Sequence, residues 1–189
     1  MRGGENVIEK ETLTKILQSY LPFCKEGSEW GGCINLITGE IIGPFKGDGE
    51  HFYVKKEVVT RKQGWVIWHS HSVDNWWDVQ RKKILERIFN WKPTTGNSPS
   101  AGDLIAAHFF GGPCYVLTSL GIWEVIPQIV FPKNDVDQRV RLASTKAITQ
   151  AKKLGLRPNN RNDQRWQELA RSAIQEVLPT KVSIIHSTP

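Results

Sequence analysis

What this sequence lacks narrows its reading first. It has three cysteines, Cys24, Cys33 and Cys114, too few and odd in number for a disulfide framework, and no C-x-x-C pair from which a four-cysteine metal site could be built. Reduced thiols are expected. No apolar run reaches 18 residues, and Met1-Arg2-Gly3-Gly4-Glu5 holds no apolar signal core, so a cytoplasmic chain is expected, neither secreted nor membrane-spanning. No internal repeat and no low-complexity stretch occur. Charge of one sign is not gathered into a block. The net charge is +6, with pI near 9.3, yet the basic residues stand in pairs and triplets such as Lys55-Lys56, Arg81-Lys82-Lys83 and Lys152-Lys153. Such short groups read as solvated surface, which disfavours nucleic acid as the partner.

What is present describes one globular domain. The 189 residues are 39% hydrophobic and 10% aromatic, enough for a sizeable core. Eight tryptophans are mostly core material, with a peptide-binding surface as the other use for some of them.

The periodicities give an α/β order. Leu13, Ile16, Leu17, Tyr20 and Leu21 have helical spacing over residues 9–21, ended by Pro22. Residues 32–38 and 40–45 read as strands turned at Thr38-Gly39, Phe52 to Val59 as a third strand and Gly64 to His69 as a fourth. Val79, Ile84, Leu85, Ile88, Phe89 and Trp91 predict a helix over 79–91, followed by a loop over 93–98. Ser100 is placed to cap a helix over 101–110, which Gly111-Gly112-Pro113 stops. Cys114 to Ser119 and Ile122 to Ile126 predict a hairpin around Leu120-Gly121. A long helix capped by Asn134 and ended by Gly155, then a second capped by Asn162, predict a helical hairpin that folds onto the sheet.

The chemistry sits at His69-Ser70-His71, where the apolar run Trp65-Val66-Ile67-Trp68 ends. Positions i and i+2 of a strand share a face, roughly 7 Å apart, so both imidazoles can reach one ion. Asp103, in Pro99-Ser100-Ala101-Gly102-Asp103, can add a carboxylate oxygen. Two histidines, one carboxylate and an open position describe a catalytic zinc site, and the same donors also accept iron, cobalt or manganese. The plain alternatives are two histidines bonded to the backbone, a capping serine and an aspartate favoured by the helix dipole.

His69, Ser70, His71, Pro99, Ser100 and Asp103 together resemble the signature of the JAMM, or MPN-plus, zinc metalloproteases: an upstream Glu, H-[ST]-H, then P-S-x-x-D. Glu29-Trp30-Gly31-Gly32-Cys33-Ile34-Asn35-Leu36 is similar to that family's acid followed by a small and apolar strand. The resemblance covers about residues 8 to 126. It departs at Ser72, where the family has proline, and in the 28 positions 72–99, read as an insertion where relatives have a short connection. It implies a JAB/MPN-like (cytidine-deaminase-like) domain over 1–132, with a central mixed sheet flanked by helices and the insertion at about 72–98. A C-terminal helical hairpin over 133–189 would pack on the same domain. It further implies zinc held by His69, His71 and Asp103, Glu29 as general base and Ser100 as oxyanion donor. The activity implied is a peptidase or isopeptidase cleaving at the C terminus of ubiquitin or a ubiquitin-like protein.

Other acids stand upstream of the histidines: Glu26 is the rival base, and Glu40 and Glu50 also precede them. His51, His108 and His186 lack matching partners, which leaves structural roles. Trp76, Trp77 and Trp91 lie in the insertion, as substrate contacts or as its own packing. Cys114 has no base beside it in sequence, which argues against a cysteine nucleophile. A non-catalytic scaffold of the same fold and a nucleic-acid-associated relative are the competing classes.

Overall fold

Leu13 and Leu17 stand four residues apart on the first amphipathic segment, and both are buried where helix α1 (Lys10–Ser19) lies on a sheet. A computed structural model of the chain describes residues 8–25, 28–47, 64–71, 98–158 and 163–188. After α1 comes a 3-10 turn (Leu21–Lys25), then strands β1 (Trp30–Asn35), β2 (Ile41–Lys46) and β3 (Trp65–Ser70). Helix α2 (Ala101–Phe110) leads to strands β4 (Cys114–Thr118) and β5 (Gly121–Pro127), helices α3 (Lys133–Lys153) and α4 (Gln164–Val177), and strand β6 (Thr180–Ser187). The strand expected at 52–59 and the helix expected at 79–91 lie outside the described residues, as do positions 72–97 of the insertion.

The described strands form one six-stranded mixed sheet in the order β2-β1-β3-β4-β5-β6. Among them only β3 and β4 are parallel, and α2 lies on the connection between them. Each face of the sheet has its own core. On one side α1 and the 3-10 turn cover Ile34, Val66, Trp68, Tyr115, Leu117 and Ile122. On the other, α2, α3 and α4 cover Ile67, Cys114, Val116 and Val125. Ala143, Ala147 and Ala151 let α3 approach closely. Gly32 is required where β1 passes Trp68: a methyl there would strike the Ile42 carbonyl oxygen and come within 3.0 Å of the Trp68 Nε1.

Three expectations are corrected. The segment 133–189 carries more than a helical hairpin: β6 returns antiparallel to β5 and forms a sheet edge. Asn134 is inside α3, whose preceding residue is Pro132, with no side-chain cap. At α4 the cap is Asp163, whose carboxylate accepts from the N–H groups of Arg165 and Trp166; Asn162 lies outside the described residues. The α2 cap is as expected, with Ser100 preceding the helix and Gly111 ending it at φ 76°, a left-handed position that glycine adopts freely.

Candidate metal centre

Strand alternation decides where the histidines point. Val66, Trp68 and Ser70 are buried against the α1 side, so Ile67 and His69 face the α2 side. His71 keeps that parity. Its backbone N–H donates to the Leu117 carbonyl at 2.8 Å, which prolongs the β3–β4 pairing by one residue. Because α2 follows β3 and precedes the parallel β4, its first turn stands at the C-terminal end of β3, and Asp103 sits in that turn. Strand β1 runs antiparallel to β3, with Gly31 opposite His69 and the Trp30 N–H donating to the Ser70 hydroxyl oxygen at 3.0 Å. Glu29, two residues before Gly31, precedes β1 at this same end of the sheet. Four segments distant in sequence meet at one end of the sheet.

The three expected ligands converge. His69 Nε2 lies 2.8 Å from Asp103 Oδ1, and His71 Nε2 lies 3.2 Å from Asp103 Oδ2. The imidazole centroids are 5.2 Å apart, with planes inclined by 48°. One donor atom from each of the three residues falls within 4.8 Å of the others. Donors around a tetrahedral zinc are separated by about 3.3 Å, given bonds of about 2.0–2.1 Å. The donor set and its spacing thus fit a small divalent cation, and the carboxylate already faces both Nε2 atoms. The three side chains are 12, 11 and 7% exposed, enough to reach solvent yet shielded from it.

Electrostatics bind the cluster further. Burial works against a charged His71, but the charge and hydrogen bond of Asp103, with the charge of Glu29, outweigh it and hold its pKa above 6.5. Burial would likewise raise Asp103, yet His71 and His69 hold its carboxyl well below the ordinary range. The influence of Glu29 on His71 places that acid within electrostatic reach of the site.

Ser100 does two kinds of work at once. Its hydroxyl oxygen accepts from the Asp103 N–H at 3.4 Å, while Asp103 Oδ2 accepts from the Ser100 N–H, a complete capping box. A hydroxyl has one donor and two acceptor positions, so this cap leaves the Ser100 O–H available to donate elsewhere. The capping box also fixes the Asp103 carboxylate that the histidines face.

The remaining residues divide clearly. Cys114 is fully buried with its sulfur 4.0 Å from His69 Nδ1; sequence reasoning gave it no role, because only the β3–β4 register brings the two together. Burial, then the charges of Asp103 and Cys33, push its pKa well up, which keeps it a thiol. Cys24 and Cys33 are buried too, and none of the three is in a disulfide. His108 is buried in α2 with Nε2 3.1 Å from the Thr180 hydroxyl oxygen, and His186 lies beside Gln18 at 3.0 Å, both away from the cluster. Glu40 lies in the β1–β2 turn, where its carbonyl accepts from the Asn35 N–H. Glu26, Glu50, His51, Trp76, Trp77 and Trp91 lie outside the described residues.

Neither the sequence nor the fold matches a family model, a curated protein or a solved structure. The residues and their geometry therefore carry the functional argument. Among the described residues, no helix is long and apolar enough to cross a membrane.

Proposed function

We propose that the chain is a zinc-dependent peptidase or isopeptidase of the JAMM type, with a JAB/MPN-like fold, acting at the C terminus of ubiquitin or a ubiquitin-like protein. The observation that carries the reading is the convergence of His69 at the end of β3, His71 just after it and Asp103 in the first turn of α2. These are the positions at which the sequence resembles that family's ligands. The substrate class rests on the resemblance alone.

The chain's residues would divide the work as follows. His69, His71 and Asp103 would hold the ion. Zinc, when bound, supplies Lewis-acid activation of water and of the scissile carbonyl. Glu29, whose charge acts on His71 and which is outside the three ligands, would take the proton from the attacking water and deliver it to the leaving amine. Ser100 would donate its O–H to the oxyanion of the tetrahedral intermediate, while its oxygen keeps its place in the cap.

Elemental analysis tests the centre: the purified protein should carry about one zinc per chain, the stoichiometry of a single catalytic site. His71→Ala should carry little, and equal zinc in the two proteins would remove the site. Cleavage of a panel of ubiquitin-like fusions by the zinc-loaded protein tests the activity. Zinc without cleavage of any fusion would leave a metal-binding protein and overturn the substrate class.

A further inference from the structure

We infer that Cys114 is a positioning residue for the metal, accepting a hydrogen bond from His69 Nδ1–H and so presenting His69 Nε2 to the ion. This rests on the metal-site reading above and concerns a residue outside the ligand set.

The geometry is specific to His69. Its ring lies between two groups, with Nε2 2.8 Å from Asp103 Oδ1 and Nδ1 4.0 Å from Cys114 Sγ. The parallel pairing aligns Ile67 with Cys114 and His69 with Val116. Cys114 is thus one side-chain step behind His69 on the same face, and it cannot drift, being fully buried at the start of β4. The sulfur is behind the ring as seen from the carboxylate. It supports the imidazole from the far side and is not a further ligand.

The chemistry requires such a group. A neutral imidazole has one N–H and one lone pair. When Nε2 gives its lone pair to a metal, the proton must reside on Nδ1, and in a buried setting that N–H needs an acceptor. Metal-bound histidines obtain one from a carboxylate, a carbonyl or water. Here the atom in reach is a thiol sulfur, a weak and polarizable acceptor. Acceptors of this kind contribute roughly 10–100-fold to metal affinity, and a thiol belongs at the lower end.

Chelator competition on the wild type, Cys114→Ser, Cys114→Ala and His71→Ala tests this, each variant first checked for a cooperative thermal transition. Cys114→Ser keeps an acceptor and should bind zinc within about threefold of wild type, whereas Cys114→Ala should bind about tenfold more weakly. In zinc-loaded wild type, proton NMR should show an exchange-protected His69 Nδ1–H with a cross-peak to the Cys114 β protons, a readout that needs no variant to fold. Wild-type affinity in Cys114→Ala, equal loss in the Ser and Ala variants, or no such cross-peak would each overturn the inference. If His71→Ala also binds zinc normally, the metal site itself is misplaced; if His71→Ala loses zinc while Cys114→Ala does not, the site stands and only the role of Cys114 falls.

Discussion

The two ends of α2 meet histidines in opposite settings. At its N-terminal end, Asp103 faces His69 and His71, and the carboxylate charge holds His71 above its ordinary pKa against burial. Near its C-terminal end, His108 meets the hydroxyl of Thr180, which itself donates to the Leu178 carbonyl at 2.7 Å. With its proton on that carbonyl, the Thr180 oxygen is placed to accept from His108 Nε2–H, and His108 Nδ1 is buried with no hydrogen-bond partner among the described residues. Burial lowers its pKa, only partly offset by the backbone at Leu178 and Pro179. One end of the helix thus faces a cluster whose donor atoms are spaced closely enough for a cation, and the other carries a neutral imidazole that acts as a core side chain. The difference lies in whether a carboxylate is present, more than in how deeply the ring is buried.

The comparison breaks most completely at Asp103. Asp103→Asn keeps the shape of the cap but removes the charge, so bound zinc should fall to a small fraction of one per chain by elemental analysis. The metal-free protein should lose about 3 kcal/mol of stability in urea unfolding, the cost of breaking a buried pair from one side. Retention of zinc in this variant would show that the carboxylate is not a ligand. Glu29→Gln should leave zinc content and fold unchanged while lowering kcat on a cleaved fusion by about 10²–10⁴, because an amide cannot take the proton. Full activity would move the role of base to Glu26 or to another acid. At the far end, His108→Ala should cost about 2–4 kcal/mol through the cavity it opens, with zinc affinity unchanged. A loss of zinc there would mean that the two ends of α2 are coupled.

The smallest effect separates the two settings by the sign of their pH dependence, in metal-free protein. His108, lowered on folding, is protonated first in the unfolded chain, so its contribution weakens as pH falls below about 6.5. His71, raised on folding, contributes fully below about 6.5, and its share is lost as pH rises through its folded value. Neither slope should exceed about 1.4 kcal/mol per pH unit. Melting temperatures across this range should lose the acid-side decline in His108→Gln and the alkaline-side decline in His71→Asn. Identical profiles in the two variants would erase the contrast.

The site end of this comparison was legible in the sequence because its signals are local. An apolar strand ending in H-x-H fixes two imidazoles on one face, and Ser100 three residues before Asp103 marks a helix start with a carboxylate in its first turn. The far end was not legible. His108 acquires its setting only from Thr180, 72 residues away. Strand β6, missed altogether, mixes Lys181, Ser183 and His186 among Val182, Ile184 and Ile185, and a register shift in its pairing with β5 breaks the two-residue period. As an edge strand it owes its form to β5 rather than to its own pattern. The nearness of Cys114 to His69 is hidden for the same reason, since parallel register leaves no trace in local spacing.

Ser70, between the two histidines, has a consequence of its own. Its hydroxyl accepts from the Trp30 backbone across the strand gap and is fully buried. Sliding β3 by one position would exchange the roles of its two faces, turning both imidazoles toward the α1 side, where Tyr20 and Tyr115 lie, and carrying Trp68 and the Ser70 hydroxyl to the side of Asp103. No intermediate alignment exists, so the strand offers the helix either both rings or neither. The central residue of H-S-H thus works as a keyway: its bond to the Trp30 N–H belongs to the alignment in which both rings face Asp103.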